Sequence, residues 1–161
     1  MKKPLKHQFL LLLILLAIAS FLGNYFHLPL FFGVDFLFGS IPVLIAVYFY
    51  GAIWGALTAF FGSLYTYLAW GHPYSILIFT GEALFVGLVL GRKRQSIAII
   101  DSAYWLLIGM PLVGLCYEKL VGLSNATAWL IAFKQAINGI FNGLIVNILV
   151  DFWANKHQKN P

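Results

Sequence analysis

Six apolar runs, at about residues 9–26, 35–50, 52–70, 74–90, 101–117 and 126–153, take up nearly the whole chain, and that pattern leaves few folds open. A helix needs about 20 mainly apolar residues to cross a hydrocarbon core about 30 Å thick. The 161 residues, 61% hydrophobic and 9% charged, have room for about six such spans and short turns, with nothing over for a soluble domain. The expected fold class is an all-α membrane protein: one domain, residues 1–161, forming a six-span transmembrane helical bundle in the lipid bilayer.

The basic residues orient this bundle. With the amino terminus in the cytoplasm, Lys2, Lys3, Lys6, Arg92, Lys93, Arg94, Lys156 and Lys159 all fall on the cytoplasmic side, Lys119 falls outside, and Lys134 lies within a span. Both termini are then cytoplasmic. Trp54 and Trp153 fall near the inner interface, Trp70 and Trp129 near the outer one, and Trp105 about one turn in from the inner end of the fifth span. The net charge of +5 reads as a topology signal and not as a nucleic-acid surface. The amino terminus imitates a signal peptide, but its apolar character continues through Phe21, Leu22 and Tyr25, so it is read as the first span.

Polar interruptions are what the spans must explain. The sixth run carries Lys134, Gln135, Asn138, Asn142 and Asn147, and the spacing of Lys134, Asn138 and Asn142 puts them on one stripe of a helix. A lysine in mid-span costs roughly 2.5–3.5 kcal/mol on insertion, so a partner on another span is expected. Glu82 of the fourth span is the partner by depth, about nine residues in from its outer end against about eight for Lys134. Asp35, His72 and Asn24 fall near the same face. The candidate ligand site is an outward-opening cavity with a Glu82/Lys134 couple, a floor of Asn138 and Asn142, and Gln135, Asp35 and His72 beside it.

Structural readings stand next to these. Intramembrane amides serve as interhelical glue, and a buried ion pair sets helix register with no ligand. Asp35 reads equally as a helix cap, His72 as a turn residue, and Asp101 as a cytoplasmic cap paired with Arg92 to Arg94. Pro42 predicts a kink or a broken helix, and Pro111 a kink. Gly51, Gly55 and Ala59 make a strip for close helix approach; Gly139 and Gly143 make another, suited to dimerisation or to packing within the bundle. Cys116, the single cysteine, reads as a packing residue.

No nucleophile with an orienting set, no metal-ligand spacing and no phosphate loop is present, so no catalytic residue, metal or cofactor is expected and the chain is read as no enzyme. The four histidines all fall at span ends or in loops, which argues against haem.

The segments Phe32-Gly33-Val34-Asp35-Phe36-Leu37-Phe38-Gly39-Ser40, Trp70-Gly71-His72-Pro73-Tyr74, Thr80-Gly81-Glu82, Asp101-Ser102-Ala103-Tyr104-Trp105 and Lys134-Gln135-Ala136-Ile137-Asn138-Gly139 resemble the amino-terminal multi-pass membrane sensor region of bacterial diguanylate cyclases and sensor histidine kinases. The resemblance covers about residues 20–150. It implies that Asp35, His72, Glu82, Asp101, Lys134, Gln135, Asn138 and Asn142 are family-pattern positions. It also implies a bacterial inner-membrane module that detects a small molecule or membrane cue and relays it through the last helix. The output would be a cytoplasmic signalling domain or partner protein, with a homodimer as the working form. The chain stops at Pro161, as expected of either a cut-out sensor domain or a free-standing relative. A weaker resemblance is to the substrate-binding membrane subunits of energy-coupling-factor vitamin transporters.

Overall fold

The structure is a computed structural model that describes residues 6–29, 35–91 and 95–158. Lys2, Lys3, Arg92, Lys93, Arg94 and Lys159 of the topology argument, and Phe32 to Val34 of the resemblance, lie outside the described residues.

Backbone N–H and C=O groups in hydrocarbon have no water to bond, so apolar runs satisfy them within helices. The chain is all-α in this sense. Its helices are α1 (Lys6–Tyr25), α2 (Ser40–Tyr50), α3 (Ala52–Gly62), α4 (Leu64–Trp70), α5 (Tyr74–Leu90), α6 (Ile97–Tyr104), α7 (Met110–Leu115) and α8 (Asn125–Gln158). Two π-helical turns, Trp105–Gly109 and Cys116–Leu120, join α6 and α7 into one rod and extend it. Four helical stretches are long and apolar enough to cross a membrane: His7–Tyr25, Ala52–Trp70, Ile97–Leu120 and Asn125–Lys156. The helices Ser40–Tyr50 and Tyr74–Leu90 are apolar but shorter. This is a membrane protein by its build, with large leucine, isoleucine and phenylalanine side chains exposed along α1, α3 and α8.

The second span departs most from the sequence expectation of a helix over 35–50, kinked or broken at Pro42. Asp35–Phe36 is a strand, β2, paired antiparallel with β1 (Leu28–Pro29) in the register Leu28 to Phe36 and Pro29 to Asp35. Non-helical chain continues through Gly39. Pro42 breaks nothing, because it lies in the first turn of α2, where its missing N–H would have no helical partner. The interruption thus precedes the proline. Around Pro111 the expected kink takes the form of the π turn Trp105–Gly109, which widens the helix just before the proline.

Glycines set the closest helix contacts. A methyl group on Gly55 would strike Val47 of α2, one on Gly62 would strike Ser20 of α1, and one on Gly87 of α5 would strike Ala52. Gly139 and Gly143 of α8 lie against Trp105 and Asp101. That strip is therefore filled within the bundle and is not free for dimerisation. Two buried clusters result: Val43, Leu44, Val47, Val86, Ile100 and Val146 towards one end, and Leu37, Phe79, Trp105, Val113, Tyr117 and Ala132 towards the other.

Candidate functional site

The extended chain between β2 and α2 needs partners for its own backbone, and the polar residues of neighbouring helices supply them. Asn138 accepts from the Leu37 N–H at 2.6 Å and donates back to the Leu37 carbonyl at 2.7 Å. Asn142 donates to the same carbonyl at 2.9 Å. From α1, the Gly23 carbonyl accepts from the Phe38 N–H at 2.9 Å, and Ser20 donates to the Gly39 carbonyl at 2.8 Å. Asn24 donates to the Gly62 carbonyl at 3.1 Å. The asparagines thus replace the hydrogen bonds that a helix would have made, which corrects their expected place as the floor of a ligand cavity.

Glu82 is fully buried, and its neighbours among the described residues are Trp105, Asp101 and Ser40, not a lysine. Its carboxylate accepts from the Trp105 indole N–H at 2.9 Å and from the Ser40 hydroxyl at 3.0 Å, and Asp101 of α6 faces it. The expected Glu82/Lys134 couple does not form. Lys134 lies at the level of Asp35, its nearest opposite charge, while Glu82 lies deeper, at the level of Ser40 and Trp105. Asp101 and Trp105 are likewise fully buried instead of lying near the inner interface. The reason is that the fifth helix starts at Ile97, so both residues lie further along the rod than a start at 101 would put them.

Four of the expected site residues do converge. Asp35, His72, Lys134 and Gln135, with Trp70, Tyr117 and Ile131, line a cavity of about 260 Å³. Its walls are aromatic: the His72 ring stacks on Tyr74 at 5.2 Å and meets Tyr117 edge-on at 5.0 Å. Burial lowers the His72 basicity below the ordinary imidazole value, which favours the neutral ring. Asp35 also lies 3.8 Å from His27. Lys134 is half-buried and Gln135 is 5% exposed, yet neither side chain hydrogen-bonds to any described residue. A cation and an amide thus face a small aromatic chamber with their bonding capacity unspent.

The opposite end of the bundle carries a wider groove, about 650 Å³, lined among others by Gly51, Gly91, Gln95, Ser96, Asn147 and Asp151. There Ser96 donates to Asn147 at 2.7 Å, and Asn147 donates to Asp151 at 2.8 Å.

Sequence reasoning passed over Tyr117 and Trp70 as cavity walls, and Ser40, Trp105 and Asp101 as the neighbours of Glu82. One signal for the last two was present. Asp101 and Trp105 are four apart and so share a helix face, and the apolar residues 97–100 before Asp101 extend the span. Compared with known protein families, characterised proteins and solved structures, the chain matches none.

Proposed function

We propose that the chain is a ligand-binding sensory module of the bacterial inner membrane, crossing it six times with both termini in the cytoplasm. A small molecule enters the outer cavity, and α8 carries the response to a cytoplasmic signalling domain or partner. The observation that carries this reading is the pair Lys134 and Gln135, hydrogen-bonded to no described residue and lining an aromatic-walled chamber. A ligand that bonds these two side chains gains hydrogen bonds that they do not make within the described residues.

The chamber chemistry defines the ligand class. Lys134 matches a carboxylate, Gln135 a hydrogen-bonding edge, and Trp70, His72 and Tyr117 a planar ring. The volume is at the small end for ligand sites, so a single-ring or fused two-ring compound fits. Asp35 is the natural counter-charge that such a carboxylate displaces.

Distances support the six crossings. α2 has 11 residues and covers about 16 Å, and the extended residues 35–38 add about 13 Å, together about the thickness of the hydrocarbon core. Non-helical chain at that depth is tolerated where protein satisfies it, as Asn138, Asn142 and Ser20 do. α8, 34 residues and about 50 Å long, runs from Lys134 past both asparagines to Asp151 at the far groove. A ligand shifts this helix only by binding one of its positions better than another.

The test uses protein in lipid nanodiscs with benzoate and indole-3-acetate against benzylamine. The carboxylates should raise the unfolding temperature and benzylamine should not. Lys134→Met and Gln135→Leu should keep the fold and abolish the shift. Equal shifts in these variants, or equal stabilisation by the amine, would sink the proposed site. A spin label at Asn155 reports the relay: binding that leaves its mobility unchanged would point instead to a substrate-capturing subunit of the energy-coupling-factor type.

A further inference from the structure

Away from the cavity, α5 and α6 bring two carboxyl groups together inside the bundle. Glu82 and Asp101 are each 0% exposed, and Asp101 lies one turn before Trp105, the residue of the same rod that bonds Glu82, which puts the two carboxyl groups beside one another. Their surroundings differ. Glu82 receives a donor on each oxygen, the Trp105 N–H on Oε1 and the Ser40 O–H on Oε2. An indole N–H can only donate, so Glu82 is furnished as an acceptor. Asp101 receives nothing: neither of its oxygens has an N–H or O–H donor among the described residues. Its visible neighbour is Glu82, already an acceptor.

No cation among the described residues resolves this contact. On α6 the Tyr104 hydroxyl is committed to the Ile78 carbonyl at 2.6 Å. α8 presents Gly139 and Gly143 to Trp105 and Asp101, and its Lys134 has Asp35 as its charged neighbour. α2 contributes the Ser40 hydroxyl alone. A bound metal ion would need about six oxygen ligands, and the oxygens assembled here are the two carboxyl groups and a hydroxyl already donating. Two facing carboxylates repel one another, and a shared hydrogen removes that repulsion.

We propose that Glu82 and Asp101 form an intramembrane proton-binding site, in which the Asp101 carboxyl group carries the proton and donates it to the Glu82 carboxylate. The bond fastens α5 to α6 with one negative charge in place of two. It gives Asp101 the hydrogen-bond partner that it otherwise lacks, with Glu82 as the acceptor, and it makes α5 and α6 a clasp that opens if the proton leaves. It is independent of the outer cavity and of any ligand there.

Infrared spectroscopy of the chain in lipid nanodiscs at neutral pH tests this. The chain has three aspartates, Asp35, Asp101 and Asp151. A protonated-carboxyl C=O band should be present, should move in D2O, should move on labelling with [4-13C]aspartate, and should stay put on labelling with [5-13C]glutamate. Asp101→Asn should delete it. If that variant does not fold, the double variant Asp35→Asn/Asp151→Asn, in which Asp101 is the remaining aspartate, should retain the band. Absence of an aspartate-derived band, a band that follows the glutamate label, or a fold that requires added sodium or potassium would each overturn the proposal.

Discussion

Asn138 spends both ends of its amide on one backbone residue, Leu37, with a sequence separation of 101. Asn142 adds a second donor to the same carbonyl. The two are therefore unequal. In Asn138→Ala the Leu37 N–H is left buried without an acceptor, which costs about 1–3 kcal/mol. In Asn142→Ala the carbonyl keeps Asn138, and the loss should be about 1 kcal/mol. Denaturant unfolding in mixed micelles measures both, and equal losses would contradict the bonding pattern. The sequence made these residues visible as a stripe that must avoid lipid, and that much of the site was legible. Their partner was not, because a backbone N–H leaves no mark in a sequence. Lys134 and Glu82 illustrate the same limit: charge and depth along two helices suggested a couple, but Glu82 turns to Trp105 and Ser40 instead.

At the scale of elements, the contact of α8 with the α6 rod rests on glycine. The Gly139 position has no room for a methyl group, because Trp105 occupies the space. Gly139→Ala must displace that indole, and overpacking of this kind costs about 1–3 kcal/mol. It should also loosen the Trp105 to Glu82 hydrogen bond, seen as a shift in the indole N–H Raman band, while Gly139→Ser should be no better tolerated. Pro42→Ala makes the opposite case. Since Pro42 lies in the first turn of α2, its replacement should change stability by less than about 1 kcal/mol, whereas a mid-helix proline would leave a larger mark. Apolar length located every helix, yet it could not separate helix from extended chain over residues 35–38. Phe36, Leu37 and Phe38 suit either state, and what decides is the supply of partners from α1 and α8. The boundary at Ile97 was missed for a related reason. The basic cluster draws attention to the turn, and Asp101 then passes for a cap although the apolar run has already begun.

For the whole molecule, the side of the membrane reached by each turn is the outstanding consequence of the fold. If the extended segment and α2 together cross the bilayer, Leu28 before them and Pro73 after α3 and α4 lie on the same side, since two crossings separate them. If α2 instead dips in and returns, one crossing separates them and they lie on opposite sides. Single cysteines distinguish these cases in a Cys116→Ala background. Leu28, Pro73, Ser124, Gln95 and Asn155 are all exposed, which suits them to labelling. Six crossings from a cytoplasmic amino terminus require that Leu28→Cys, Pro73→Cys and Ser124→Cys react with an impermeant maleimide on intact spheroplasts. Gln95→Cys and Asn155→Cys should then react only after lysis. The aromatic contacts support this grouping: Phe9 with Trp54 and Phe49 with Trp153, each at 5.0 Å, gather the start of α1, the start of α3 and the end of α8 at one end. Trp70, His72 and Tyr117 gather at the other. Labelling of Leu28→Cys without Pro73→Cys would make α2 re-entrant and the span count odd. The cavity and the carboxyl-terminal end of α8 would still lie at opposite ends of the bundle, but the termini would then lie on opposite sides of the membrane, and the relay from an outer ligand to a cytoplasmic output would fail.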